Sequence, residues 1–119
     1  MNIQKFTKKS VEALEEAQSI ASRNSNPQIE QEHLLLALLE QDNSLIKELL
    51  KKMGVEGSFE ERVKELVDKK PRVTGQARKM DSIYVSQDTD LVLNDAEKQA
   101  AKMKDEYVSV EHIMISLLE

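Results

Sequence analysis

The sequence predicts an all-α fold made of two pseudo-symmetric helical repeats, the second of them truncated. Three observations carry this. Apolar residues recur at the three-and-four spacing of one helix face through most of the chain. Only three Gly and two Pro interrupt that spacing, and aromatics make 3% of residues, a composition poorly suited to a β-rich fold. An internal offset also brings two stretches of the chain into register.

The first helix carries Phe6, Val11, Leu14, Ala17, Ile20 and Ala21 as one stripe, with Thr7 placed to cap its start. Asn24-Ser25-Asn26-Pro27 breaks it, because Asn favours turns and Pro cannot continue a helix. Leu34-Leu35-Leu36-Ala37-Leu38-Leu39 is apolar on nearly every side, which predicts a short helix at the centre with Leu35 and Leu38 buried. After Asp42-Asn43-Ser44 the next stripe is Leu45, Ile46, Leu49, Leu50 and Met53, closed by Gly54 as a left-handed residue past the helix end. Ser58-Phe59-Glu60-Glu61 has capping-box spacing, with Ser58 as the cap of a fourth helix whose stripe is Phe59, Val63, Leu66 and Val67. Pro71 ends it. Residues 71–84 show no period and read as a linker. A fifth helix is expected from about Ser86 to Met103, and a sixth from about Ser109 onward.

His33 and His112 each follow Glu, precede an apolar run, and lie 79 residues apart. The same offset pairs Leu14 with Leu93, Ala17 with Ala96, Ala21 with Ala100 and Glu32 with Glu111. Thr7 falls on Ser86 and Ser10 on Thr89, so the cap chemistry repeats too. Two amphipathic helices can share Leu and Ala by chance, but two Glu-His pairs in the same register are much harder to obtain that way. The organisation is therefore one domain over residues 1–119: repeat one at about 5–70, a linker at about 71–84, and a partial repeat two at about 85–119. The third and fourth helices of the second repeat would map to 122–149, past the last residue.

Hydrophobic residues at 39% and charged residues at 33% place the chain among globular rather than disordered proteins. Its net charge of −5 argues against a general binder of nucleic acid or anionic membrane, whose affinity rests on surplus Lys and Arg. With no cysteine, disulfides, thiolate zinc sites and cysteine nucleophiles are ruled out. The N-terminal residues hold no signal-like apolar run, and no stretch reaches the ~20 apolar residues of a membrane span. The expected location is the cytoplasm.

The two Glu-His pairs invite a metal or acid-base reading. Adjacent helical residues diverge by about 100°, however, and neither run has a second His one turn away. The structural alternative is Glu favoured by the helix dipole, with His packed at the edge of the buried helix. No metal is expected. Lys69, Lys70, Arg72, Arg78 and Lys79 form a basic stretch that reads as a solvated linker, or else as a contact to an acidic partner. No aromatics interleave with it, which disfavours single-stranded nucleic acid.

The run Ile29-Glu30-Gln31-Glu32-His33-Leu34-Leu35-Leu36-Ala37-Leu38-Leu39-Glu40-Gln41 resembles the I-E-P-E-H-L-L-L-A-L-L-E-Q pattern of the N-terminal domain of ClpB-type disaggregases, a branch of the Clp family of AAA+ chaperones. Gln31 stands where that pattern has Pro. Ser86-Gln87-Asp88, Val92-Leu93-Asn94 and Asp105-Glu106-Tyr107-Val108-Ser109-Val110-Glu111-His112 are similar to its second repeat. The protease-partner branches more often show G-T-E-H at both places. The resemblance covers essentially the whole chain and implies the Clp double-repeat fold.

It also implies a non-catalytic domain that helps to engage unfolded or aggregated protein. In the family, a homohexameric ring of ATPase modules then threads that protein, in cooperation with the DnaK system. ATP and magnesium belong to those modules. Gly54, Gly57 and Gly75 form no G-x-x-x-x-G-K-[ST], so no cofactor is expected on this chain. The family's substrate groove, between the first helices of the repeats, the linker and the sixth helix, implicates Thr7, Leu93, Asp105 and Glu111. Each has a plain alternative: Thr7 as a cap, Leu93 as core, Asp105 as a turn residue, Glu111 as a dipole partner. Rival functions are the adaptor- and substrate-docking domain of a Clp protease unfoldase, and a structural module for self-assembly.

Overall fold

The computed structural model describes residues 3–41, 45–54, 56–70 and 84–118. A 3-10 turn (Ile3–Lys5) leads into α1 (Lys8–Arg23), β1 (Gln28–Ile29), α2 (Gln31–Glu40), α3 (Leu45–Lys52) and α4 (Glu56–Asp68). These are followed by β2 (Tyr84–Val85), α5 (Gln87–Lys102) and α6 (Val110–Leu118). The fold is all-α. Its extended backbone, among the described residues, amounts to two short pairings. The linker expected at 71–84 lies outside the described residues except for its last residue, Tyr84, which begins β2.

The cap chemistry repeats as the offset requires. Thr7 Oγ1 accepts the Ser10 N–H at 3.2 Å, and Ser86 Oγ accepts the Thr89 N–H at 3.2 Å. In each pair the two hydroxyls also bond each other, at 2.9 and 2.8 Å. The far ends of α1 and α5 match as well. The Asn26 N–H reaches Ala21 O at 2.9 Å and the Asp105 N–H reaches Ala100 O at 2.8 Å. These bonds close a Schellman turn around Ser25 (φ 56°) and Lys104 (φ 61°). Left-handed backbone is unfavourable for residues with a Cβ. Its recurrence at equivalent positions shows that the turn itself belongs to the repeat.

The two repeats exchange their extended segments. Ile29, ahead of α2, pairs in parallel with Val85, ahead of α5. Phe6, ahead of α1, pairs with Val108, ahead of α6. Under the 79-residue offset these are the same contact made twice, each repeat holding the other. The Ser86 N–H donates to Ile29 O at 3.0 Å and the Thr7 N–H to Val108 O at 2.9 Å.

The core gathers around α2, where His33, Leu34, Leu36, Ala37, Leu38 and Leu39 are all buried. Leu35 departs from expectation and is only half-buried. It lies one turn beyond Gln31, also half-buried, and so continues the outward stripe of the helix. α3 contributes Ile46 and Leu50 to the core, while Leu49 and Met53 of the expected stripe stay exposed. Gly54 is left-handed as predicted, with φ 76°. α4 buries Val63 and Val67 and leaves Leu66 exposed. It begins at Glu56, so Ser58 sits inside the helix and does not cap it. On α2, Leu36 and Leu39 are buried in the same core as residues of α3 and α4; their counterparts on α6, Ile115 and Leu118, are 36% and 70% exposed.

Leu38 is wholly buried, so Leu38→Ala should cost about 2–5 kcal/mol through lost transfer energy and the cavity left behind. Leu35→Ala should cost distinctly less. Urea midpoints of the two variants check this ordering, and equal midpoints would show the helix rotated from this placement.

Candidate functional site

Three of the four residues implicated by the family resemblance gather around the Phe6–Val108 bridge. Thr7 caps α1 and docks its backbone N–H on Val108 O, while the buried Ser10 hydroxyl donates to the same oxygen at 3.0 Å. Asp105 stands in the loop before the bridge, its carboxylate half-exposed, with Oδ2 2.9 Å from His112 Nε2. Glu111 lies half-buried in the first turn of α6, where the positive end of the helix dipole favours a carboxylate. Among the described residues Glu111 makes no ion pair. Met103 and Tyr107, on either side of Asp105 in the chain, are both more than half exposed.

Leu93 does not join them at the surface. It has no accessible area and packs from α5 into the core beneath. Its place as a surface contact is corrected accordingly, and the plain alternative describes it in this structure. Its repeat partner Leu14 is also packed against the core, which is the signal that could have separated Leu93 from the other three.

The 79-residue offset defines a second copy of this arrangement, formed by Ser86, Asn26 and Glu32, which the sequence reading did not single out. Ser86 docks on Ile29 O as Thr7 docks on Val108 O. Asn26 Oδ1 lies 2.8 Å from His33 Nε2, in the place of Asp105. Glu32 is ion-paired with Lys70 at 3.1 Å, whereas its counterpart Glu111 is open. One copy is thus covered by the end of repeat one, and the other is accessible.

The histidines are more than residues at the edge of a buried helix. Each is buried, and each ring bonds through both nitrogens. His33 Nδ1 accepts the Glu30 N–H at 2.8 Å, and His112 Nδ1 accepts the Ser109 N–H at 2.9 Å. Nδ1 being an acceptor, the His33 network assigns the proton to Nε2, which donates to Asn26. Burial, reinforced by the Lys70 ammonium and opposed by Glu32, lowers the His33 pKa to about 4. His33 is a neutral capping residue at physiological pH. The adjacent glutamates do not converge with the rings, and among the described residues no group of three or more metal-ligating side chains is found.

Two clefts lie elsewhere. One of about 560 Å³ opens between α1 and the end of α2, over Ala37, with Lys9, Glu12, Glu16 and Glu40 along it. A second of about 300 Å³ adjoins α4 at Val67 and Asp68. Neither is lined by Thr7, Asp105 or Glu111, and both have charged walls.

The fold is a two-repeat helical module with interlocked segments and a polar rim near the Phe6–Val108 bridge. A family model described as the Clp repeat (R) N-terminal domain matches residues 5–119, and the chain belongs to that family. It is 43% identical over 120 residues to chaperone protein ClpB of Nitratidesulfovibrio vulgaris, a match covering 100% of this chain and 14% of that protein. Chaperone protein ClpB of Porphyromonas gingivalis is 42% identical over 119 residues, covering 99% of this chain and 13% of its own length. Among solved structures, the Hsp104 N-terminal domain from Candida albicans superposes with a TM-score of 0.85 at 31% identity, over 96% of this chain and 73% of that one. The chain therefore spans about one-seventh of the curated relatives it matches.

Asn26→Ala should cost about 1–3 kcal/mol at pH 7, because it leaves a buried His33 Nε2–H without its partner. Asp105→Ala should cost less, since water can reach the half-exposed loop. Equal losses in urea unfolding would contradict the difference in burial.

Proposed function

We propose that this chain is the substrate-engagement domain of a ClpB-type disaggregase, one domain over residues 1–119 that helps to capture unfolded or aggregated polypeptide. The observation that supports this best is the stretch from Met103 to Glu111. It presents two large exposed side chains, Met103 and Tyr107, beside Glu111, which makes no ion pair among the described residues, and the half-exposed carboxylate of Asp105, which also holds His112, with Thr7 docked on its backbone. Apolar surface gives such a site its affinity for exposed segments of many sequences, and the polar groups orient the bound backbone.

The rest of the machinery follows as part of the proposal. The whole protein is a homohexameric AAA+ ATPase, binds ATP and magnesium in modules other than this one, works with the DnaK system, and acts in the cytoplasm. This domain is not itself an enzyme and takes no cofactor. Among the described residues, no helix is long and apolar enough to cross a membrane. Neither nucleic acid nor membrane is a partner.

A shallow surface that binds flexible chains loses part of its gain to the ordering of the ligand. Titration of the ¹⁵N-labelled chain with a permanently unfolded client should give a Kd of about 10 μM or weaker, corresponding to about 7 kcal/mol or less. Shifts should gather at Thr7, Asp105, Tyr107 and Glu111, and a Tyr107→Ser, Glu111→Gln variant should lose them while staying folded. Shifts confined to the charged clefts or to the basic stretch after Asp68 would instead favour docking of an adaptor or a neighbouring domain. Isothermal calorimetry with ATP should show no micromolar binding by this chain.

A further inference from the structure

The two capping histidines are equivalent in position but not in how they can accept a second proton. His33 Nδ1 faces the Glu30 N–H, and its Nε2–H faces the neutral amide oxygen of Asn26. A proton added at Nδ1 would set two donors against each other in a fully buried place. The charge would have no carboxylate in hydrogen-bond contact, and the Lys70 ammonium acts on it from the end of α4. Glu32, on its own helix, favours the charge but is already paired with Lys70. From α5, the Asp88 backbone oxygen accepts a bond from Gln31, one turn before Leu35 on the same helix.

His112 is placed differently. Its Nδ1, like that of His33, accepts a backbone N–H, here from Ser109, with the Ser109 hydroxyl 3.0 Å away, but its Nε2 lies on the Asp105 carboxylate. Glu111 stands beside it on α6. The ring of His112 therefore has a carboxylate in hydrogen-bond contact, which the ring of His33 lacks.

We propose that repeat one is an acid-sensitive latch: protonation of His33 frees the start of α2 and releases β1 from β2, while the equivalent contact of repeat two stays closed. The connection is short. Glu30, whose N–H bonds His33, directly follows Ile29, whose carbonyl holds Ser86 and whose backbone pairs with Val85.

The sign follows from linkage. The closed form holds His33 neutral, with its pKa lowered from 6.5 to about 4, so opening takes up a proton between those values. The latch has its full stability above pH 6.5 and loses it as pH falls from 6.5 toward 4. The equilibrium constant for opening rises roughly 20-fold between pH 7 and pH 5.

Amide hydrogen exchange of the 119-residue chain at pH 7 and pH 5, corrected for intrinsic rates, tests this. Protection at Glu30 and Ser86 should fall roughly 20-fold, while Thr7 and Ser109 keep their pH 7 protection. Asp105→Asn should create an acid response at Thr7 and Ser109. Asn26→Asp should diminish the one at Glu30 and Ser86. An equal loss at all four amides, no pH effect, or an Asn26→Asp chain that opens as the parent does would overturn the proposal. If Asp105→Asn fails to fold, the Asn26→Asp comparison decides alone.

Discussion

The reciprocal exchange of extended segments between the repeats is the constraint on which the rest depends. Each repeat begins with a residue that pairs with the residue before the other repeat's buried helix, Phe6 with Val108 and Val85 with Ile29. The pairings are only one or two residues long, far too short to stand as a sheet. They matter because they fix where four helices start. Thr7 and Ser86 cap α1 and α5 while donating their own N–H groups across the interface, so cap and interlock are one structure. Neither half can set its helix starts without the other.

From that symmetry the functional asymmetry follows. The interlock places a hydroxyl, a histidine partner and a glutamate together twice. In repeat one the glutamate is paired with Lys70 and the histidine partner is a neutral Asn; in repeat two the glutamate is open and the partner is a carboxylate. Membership in the Clp repeat family rests on the fold and sequence of the whole chain. The proposed client surface rests on the second copy alone, the one whose polar groups remain accessible.

Much of the architecture was legible because helical periodicity and cap chemistry are local. The offset that pairs His33 with His112 also predicted the Thr7 and Ser86 caps, and Gly54 announced its own left-handed turn. What escaped was either non-local or contrary to residue preference. Two-residue strands leave no alternation to detect. Ser25 and Lys104 adopt positive φ without being glycine, held by backbone bonds that no propensity scale contains. Asn26 and Asp105 lie seven residues before their histidines, across a turn and a short extended segment, so helical periodicity does not announce the contact. Ser58 looked like a cap because its box spacing was right, but Glu56 already lies in the helix. Of the residues implicated by the family resemblance, Thr7, Asp105 and Glu111 fall together, and Leu93 serves the core beneath them.

If the repeats are one folding unit through their exchanged segments, residues 1–70 alone should not fold, even though α1 to α4 carry most of the buried leucines. That piece lacks Val85 and Ser86 for Ile29, and Val108 for Phe6 and Thr7. Far-ultraviolet circular dichroism with thermal melting, run beside the 119-residue chain, is the direct measurement. The expected result is weak helicity and no cooperative transition for residues 1–70, against a single cooperative transition for the whole chain. A cooperative melt of the shorter piece with native-like helicity would contradict the dependence of each repeat on the other.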